Sequence, residues 1–183
     1  MNIFVLDENP AVAAQMMCDK HIPKMLVESA QMMASALRRH GLGDEDLPLT
    51  RRGTPYKMAY PNHPCTKWVG DSYQNFMWLY QHAETISQEY FKRFGKRRGT
   101  HRTIRTIREI HQTFDKHFPT FDFPEDGLTP FALAVNRKKD IELIVHAEGN
   151  DAVKAYRAYY HSKTFAKWQK GRPAPSWWKG AIA

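Results

Sequence analysis

The chain has 183 residues, 42% of them hydrophobic and 13% aromatic, which suits one globular domain and excludes an intrinsically disordered protein. A formal net charge of +8 favours a polyanionic partner, and the aromatic content favours nucleic acid as that partner, with solubility alone as the alternative reason for the charge. Two cysteines exclude a disulfide framework, no apolar run approaches the roughly 18 residues of a membrane span, and no secretory signal is recognisable, so we expect a cytoplasmic protein.

The N-terminal part of the chain predicts an extended segment and two helices. Residues 2–6 are mostly apolar and predict a short extended run that enters the core. A helix over residues 10–20 follows, because Asn9 is a good N-cap and Pro10 suits the first helical position. Pro23 predicts a kink or a restart, after which a second helix continues until two glycines end it.

Residues 18–28 hold the densest group of side chains capable of chemistry. Within three helical turns they combine two amines, an imidazole and two carboxylates, with apolar residues at helical spacing behind them. We predict the main catalytic residues here: Asp19, Lys20, His21, Lys24 and Glu28. His21 is a candidate general acid or base. The plain alternatives are a structural histidine and an exposed salt bridge between Lys24 and Glu28.

The segment after the second helix predicts a long loop and a further helix. Residues 41–61 predict the loop, in which Arg51 and Arg52 are candidate contacts to nucleic acid. Asn62, His63 and Pro64 then predict the start of a helix that continues to about residue 94. Backbone N–H groups at such a start favour phosphate, so Asn62 and His63 are further site candidates, with simple capping as the alternative role of His63.

Two thiols and two imidazoles raise the question of a metal. Cys18, His21, His63 and Cys65 could form a tetrahedral zinc set, although their spacing lacks the paired CxxC of common structural sites and buried inert thiols are favoured. The sequence has no P-loop, no dinucleotide-binding glycine fingerprint and no nucleophile elbow. We therefore predict no metal and no cofactor.

The most basic segment runs over residues 92–108. A helix that starts near Thr100 would align several arginines along one side, and no acidic residue interrupts the run before Glu109. We predict phosphate contacts here, with a solvated basic face as the alternative, by Arg97, Arg98, Arg102, Arg105 and Arg108.

The C-terminal third mixes loops, one helix and a basic aromatic tail. Residues 136–147 alternate in hydropathy but are too short to assign, and Asn150 predicts the cap of a helix that ends near residue 161. In the tail, base stacking and phosphate contact are predicted for Lys170, Arg172, Trp177, Trp178 and Lys179, and docking of the tryptophans into the core is the open alternative. We predict a mainly α, compact fold with one domain over residues 1–183.

Three segments, about half of the chain together, resemble the phage pyrimidine-dimer DNA glycosylases of the endonuclease V type. The segment from Leu6 to Pro23 resembles the first helical region of that family, and its final run Lys20-His21-Ile22-Pro23-Lys24 is similar to an Arg-Glu-Leu-Pro-Arg run there. The segment from Asn62 to Arg93 resembles the second helix, with Tyr60 to Pro64 at its start, and residues 172–183 resemble the C-terminus. The opening Asn-Ile-Phe-Val-Leu-Asp also resembles a set of uncharacterised small phage proteins.

The resemblance implies a compact helical enzyme that flips a nucleotide, cleaves the glycosidic bond through an imine and then cuts the backbone as a lyase. Lys20 and Lys24 match two phosphate-handling arginines of the family, and Pro23 matches its proline. The catalytic glutamate of the family falls on His21, and its N-terminal threonine has no counterpart because Asn2 is too large for efficient removal of Met1. In this chain Glu28 or Asp19 would then supply the carboxylate, and Lys20 or Lys24 the amine.

These observations together predict a DNA glycosylase/lyase that acts on damaged or modified duplex DNA. Two alternatives remain open at this point. One is an enzyme that modifies DNA bases or nucleotides, with proton transfer by His21 and Glu28. The other is a basic DNA-binding or host-takeover protein without catalysis, in which the charged cluster is a docking surface.

Overall fold

The computed structural model describes residues 1–135 and 151–182, and their regular secondary structure is helical. Besides the α-helices there is a short 3₁₀ turn at Phe118–Thr120, and the β-type pairing within the described part is one isolated bridge between Leu49 and Pro55. The prediction of a mainly α fold is confirmed.

The α-helices of the described residues are α1 Pro10–Met16, α2 His21–Arg39, α3 Pro64–Val69, α4 Tyr73–Arg98, α5 Thr103–His117 and α6 Ala152–Tyr160. None of them combines the length and the apolar character that crossing a membrane requires.

The first two helices begin where the sequence predicts. The Asn9 side chain accepts hydrogen bonds from the N–H groups of the first turn of α1, which Pro10 opens. The chain leaves the helical conformation at Met17, so α1 is shorter than the predicted helix over 10–20. Pro23 lies in the first turn of α2, where its missing N–H has no intrahelical partner to lose, and the predicted restart is confirmed.

The end of α2 depends on a glycine. Gly41 adopts a φ of +93°, and the N–H of Leu42 donates to the carbonyl of Leu37 at 3.2 Å, which satisfies an open carbonyl of the last turn. The chain then reverses into the predicted long loop, which returns along α2.

The prediction of one helix from residue 64 to about 94 is wrong, because two helices occupy this range. Gly70 ends α3, and Ser72 begins α4 by accepting the N–H of Asn75 at 3.1 Å. The Ser72 hydroxyl also donates to the Gly127 carbonyl at 2.6 Å, so a distant loop holds the break in place. The apolar residues keep their helical spacing across the break, so the sequence pattern did not reveal it.

The core lies between α2, α4 and α5, with α1 against α4. Buried apolar side chains line one side of α2, and the rings of Phe76 and Phe114 stack at 3.7 Å between α4 and α5. The extended segment Ile3 to Leu6 is fully enclosed, as predicted, and packs against the buried Tyr156 and Tyr160 of α6.

The C-terminal helix is close to its predicted position. Asp151 caps α6 by accepting the N–H of Lys154 at 3.0 Å. The predicted cap Asn150 and the alternating segment 136–147 lie outside the described residues.

Candidate active site

A carboxylate on α2 is the centre of a polar cluster near the start of the chain. Glu28 accepts the backbone N–H of Asn2 at 2.9 Å and forms an ion pair with Lys24 at 3.2 Å, one helical turn before it. The Lys24 side chain is 59% exposed, whereas that of Glu28 is 13% exposed. The structure thus places an accessible amine directly beside a mostly enclosed carboxylate.

His63 joins this cluster from the start of α3. Its Nδ1 accepts the N–H of Cys65 at 3.2 Å, so the imidazole caps the helix, and Nε2 is left for other partners. Burial lowers the pKa of His63, the ammonium of Met1 lowers it further, and Glu28 acts in the opposite direction. The charges of the Met1 ammonium and of Glu28 thus act on His63 through space.

The extended N-terminal segment positions the cluster. The Asn2 side chain accepts the N–H of Phe4 at 2.9 Å and donates to the carbonyl of Ala134 at 2.6 Å. Phe4 adopts a φ of +44°, a costly conformation for a non-glycine residue. We infer that this strain is retained because Phe4 is locked among aromatic rings.

His21 lies in the aromatic core. Its Nδ1 is 2.6 Å from the Tyr160 hydroxyl, its ring stacks on Phe4, and Phe165 packs edge-on against it. Burial lowers the pKa of His21 to about 3, with further lowering from the charges of Lys24, Lys163 and Lys20. A neutral, enclosed imidazole favours the structural alternative over proton transfer to a substrate.

Asp19 and Lys20 have partners away from Glu28. Asp19 binds the buried Arg93 at 3.1 Å and accepts the backbone N–H of Gln169 at 2.7 Å, which ties the C-terminal tail to the start of α2. The exposed Lys20 extends over the ring of Phe165, with its Nζ 4.4 Å from the ring centroid. Of the five candidates in residues 18–28, Lys24 and Glu28 contact each other, and the charge of Glu28 acts on His63.

A pocket of about 310 Å³ lies beside His63, between the returning loop and α3. The lining residues are Ser35, Arg39, Met58, Pro61, Asn62, Thr66 and Lys67. The Thr66 hydroxyl is buried and has no hydrogen-bond partner in the described part of the chain. The predicted contact residue Asn62 is exposed at the rim of this space.

The zinc alternative gains no support. Within residues 1–135 and 151–182, no three side chains of the metal-binding types are placed to share an ion. Cys18 lies against Tyr160, whose hydroxyl accepts its backbone N–H, and the Cys65 thiol is 3.8 Å from the Tyr156 hydroxyl. Burial raises the pKa of Cys65 to about 11, so this thiol is protonated and inert at neutral pH.

The predicted DNA-contacting arginines divide into two groups. The first group is exposed and lies in the long loop, at the end of α4 and around the start of α5: Arg51, Arg52, Arg97, Arg98, Arg102 and Arg105. Arg108 is exposed as well, but it makes a two-pronged hydrogen bond to Glu84, at 2.7 and 2.9 Å, which neutralises its charge. The predicted helix starts at Thr103, three residues later than expected.

The tail tryptophans pack on the protein. Trp177 contacts Met16 and Tyr160, and Trp178 stacks on His161 at 4.9 Å, so both rings are half-buried. This packing supports the alternative of docking into the core. Lys170 and Lys179 are exposed, whereas Arg172 is bound to the buried Glu89.

Sequence reasoning missed several residues that shape the site. The i,i+4 spacing of Glu89 and Arg93 could have revealed their 2.9 Å ion pair. Nothing local indicates that Asn2 binds Glu28, that Lys163 acts on His21, or that Thr66 opens into the pocket, because each depends on tertiary packing.

A family model described as pyrimidine dimer DNA glycosylase matches residues 1–103, more than half of the chain. The match includes the amine and carboxylate on α2, His63 and the pocket beside it. No curated protein and no solved structure gives a match. The chain belongs to the pyrimidine dimer DNA glycosylase family.

Proposed function

We propose that the protein is a DNA glycosylase/lyase that excises a damaged or modified base from duplex DNA. The observation that carries this proposal is the amine–carboxylate cluster, defined as Lys24, Glu28, His63 and the α-amine of Met1. It combines an accessible amine with an enclosed carboxylate 3.2 Å away. Those are the two groups that glycosidic cleavage through an imine requires.

The proposed reaction uses the amine as nucleophile and Glu28 as the charged partner. The free amine attacks the anomeric carbon of the deoxyribose while the glycosidic C–N bond breaks, and the base leaves with a proton. The carboxylate stabilises the positive charge that develops on the sugar. Ring opening gives a protonated imine, and removal of a proton from the adjacent carbon then expels the 3′-oxygen and cuts the strand.

Two amines of the cluster are candidates for the nucleophile. Lys24 is the exposed one and already pairs with Glu28. The α-amine of Met1 is the other, and its charge acts on His63 as that of Glu28 does. His63 has Nε2 free of the helix cap and is the candidate for proton transfer. We keep both amines in the proposal because one experiment separates them.

We propose that the pocket beside His63 accepts the extruded nucleotide. Its hydroxyl, amide and cationic groups match the polar edges and the phosphate of a nucleotide, and the unpartnered Thr66 hydroxyl offers a buried donor. Extrusion there would bring the anomeric carbon towards the cluster. Duplex DNA would be held by the predicted basic residues that remain exposed.

The test is cleavage of end-labelled duplex DNA, ultraviolet-irradiated or undamaged, read on a denaturing gel. We expect strand breaks that depend on irradiation and do not require added metal. Breaks in neither duplex, together with salt-sensitive binding to both, would favour the DNA-binding protein without catalysis. Altered bases without breaks would favour the base-modifying enzyme.

A further inference from the structure

A second pocket, separate from the amine–carboxylate cluster, lies between the long loop and the start of α5. Its volume is about 400 Å³, and its lining residues are Leu49, Thr50, Arg51, Tyr56, Arg102, Thr103, Arg105 and Thr106. Three arginines and three threonines therefore line one space, with the Thr106 hydroxyl against Tyr56 and the Thr50 hydroxyl against Thr54. No residue of the amine–carboxylate cluster and none of the pocket beside His63 contributes to it.

The positive charge of this pocket is not compensated. Its lining contains no carboxylate. Within the described residues, Arg51 and Arg102 form no ion pair, and Arg105 has only a long 3.7 Å contact to Glu109 with 83% of its side chain exposed. Arg108, one turn further along α5, shows the contrast, because Glu84 occupies its guanidinium. The three pocket arginines thus have their donors free for an anion.

The loop that carries Arg51 is held in a defined shape. The N–H of Thr50 donates to the carbonyl of Thr54 at 2.7 Å, their hydroxyls are 2.9 Å apart, and Gly53 takes the φ of +75° that the turn needs. Arg51 therefore belongs to a closed turn and lines the pocket together with Arg102, which immediately precedes α5, and Arg105 of α5. Its neighbour Arg52 belongs to the same turn but does not line the pocket.

We propose that this pocket binds a phosphate group, with guanidinium forks on its oxygens and threonine hydroxyls as neutral donors. The group would come from DNA, either as a backbone phosphodiester or as a terminal phosphate. The assignment to DNA rests on the proposed function, whereas phosphate binding itself does not. In the DNA-bound protein the site fixes the duplex at a second point, away from the reacting sugar.

The first measurement uses inorganic phosphate as the probe. Thermal unfolding is followed in phosphate and in chloride at equal ionic strength, for the wild type and for Arg51→Gln, Arg105→Gln and Arg52→Gln. We expect phosphate to raise the Tm of the wild type and of Arg52→Gln, and to lose this effect in both pocket variants. An equal phosphate effect in all four proteins would overturn the site.

The second measurement is a double-mutant cycle on DNA affinity, with a dumbbell duplex that has no ends. Arg51→Gln and Arg105→Gln should each weaken binding roughly tenfold. Because both arginines hold one phosphate, the double variant should lose clearly less affinity than the roughly hundredfold product of the two single losses. Arg52→Gln combined with Arg105→Gln should instead give the product of its single effects. Multiplicative losses in both pairs would show a diffuse basic face and contradict the proposal.

A duplex with a 5′-phosphate, compared with its 5′-hydroxyl counterpart, distinguishes the source of the phosphate. If the effects of the two pocket substitutions are non-additive on the dumbbell, the pocket binds a backbone phosphodiester. If they are non-additive only on the duplex with a 5′-phosphate, the pocket binds a terminal phosphate. Both outcomes support a phosphate site. Because binding is measured on undamaged DNA, the result is independent of strand cleavage, so failure of this inference and failure of the glycosylase proposal are told apart.

Discussion

At the scale of single residues, burial separates the side chains that can meet a substrate from those that hold the fold. Lys24 is exposed beside Glu28, whereas His21 is enclosed by Phe4, Phe165 and Tyr160. In the family resemblance, the catalytic glutamate falls on His21. We infer that the carboxylate has moved along α2 to Glu28, which faces the start of the chain.

The role of Glu28 predicts a selective loss of activity. Glu28→Gln keeps the size of the side chain and an oxygen that can accept the N–H of Asn2, but removes the negative charge. We expect strand cleavage to fall by about 100-fold or more, with DNA affinity changed by less than about threefold. Single-turnover cleavage and fluorescence anisotropy measure the two quantities.

The matched control for this substitution is Glu45→Gln, at an exposed position in the long loop. It should leave both quantities unchanged. Cleavage by Glu28→Gln at the wild-type rate would remove this carboxylate from the proposed mechanism.

Two buried histidines predict an acid-sensitive fold. The pKa is lowered by burial to about 3 for His21 and to about 4 for His82, against 6.5 in an unfolded chain. At a pH between the folded-state pKa of each histidine and 6.5, the unfolded state binds more protons than the folded state. The stability that depends on the neutral imidazoles is therefore complete above about pH 6.5 and decreases as the pH falls towards 4 and 3.

Urea unfolding between about pH 6 and pH 5 tests this dependence, with a slope of about 1.4 kcal/mol per pH unit expected from each histidine. His21→Asn and His82→Gln should each flatten the profile by about one proton. A profile unchanged by either substitution would show that other groups cause the acid sensitivity.

At the scale of elements, a buried ion-pair network holds the tail against α4. Glu89 receives hydrogen bonds from both Arg93 and Arg172, and Arg93 continues to Asp19 and to the carbonyls of Gln15 and Met17. Burial alone would raise the pKa of Glu89, but these hydrogen bonds more than offset it and the pKa is lowered. The network joins α1, the segment before α2, α4 and the tail.

Removal of one member should loosen the tail. Arg172→Gln leaves Glu89 with one partner fewer, and we expect a loss of about 2 kcal/mol in the free energy of unfolding and faster quenching of tail tryptophan fluorescence by acrylamide. Lys170→Gln, at an exposed position two residues earlier, is the matched control. Equal quenching in both variants would mean that the ion pair between Arg172 and Glu89 does not hold the tail.

The sequence predicted the elements better than their junctions. Asn9, Pro10 and Gly41 carry local signals that act through backbone geometry, and these helix ends are confirmed. The break before Ser72 was missed because its stabilising contact, the Gly127 carbonyl, is distant in the sequence. The spacing of Lys24 and Glu28 along one helix is a local signal, and it predicted their pairing. Nothing predicted that Asn2 and His63 join them, because those residues are distant in the sequence.

At the scale of the whole molecule, the cations behind the net charge of +8 form two sets, those bound to carboxylates and those that remain available to a partner. Arg93, Arg108 and Arg172 are bound to carboxylates, whereas six predicted DNA-contacting arginines remain exposed. Charge alone could not separate the two sets. That all of residues 1–183 form one domain stays a prediction.

The exposed cations predict strongly salt-dependent DNA binding. The logarithm of the affinity should fall linearly with the logarithm of the salt concentration, with a slope of about 0.9 for each phosphate contacted. Arg98→Gln should reduce this slope by about one, and Arg108→Gln should not, because its charge is already neutralised by Glu84. Equal slopes for Arg98→Gln and Arg108→Gln would contradict the division of the arginines into those open to DNA and those bound to carboxylates.

The most direct test of the central claim is borohydride trapping on ultraviolet-irradiated duplex, followed by peptide mapping of the modified residue. Borohydride reduces an imine to a stable amine and fixes the protein to the sugar. We expect a damage-dependent covalent complex whose modified residue is Lys24 or the α-amine of Met1, both members of the amine–carboxylate cluster. No trapped complex alongside strand cleavage, or attachment through Lys20 or any other lysine, would contradict the account.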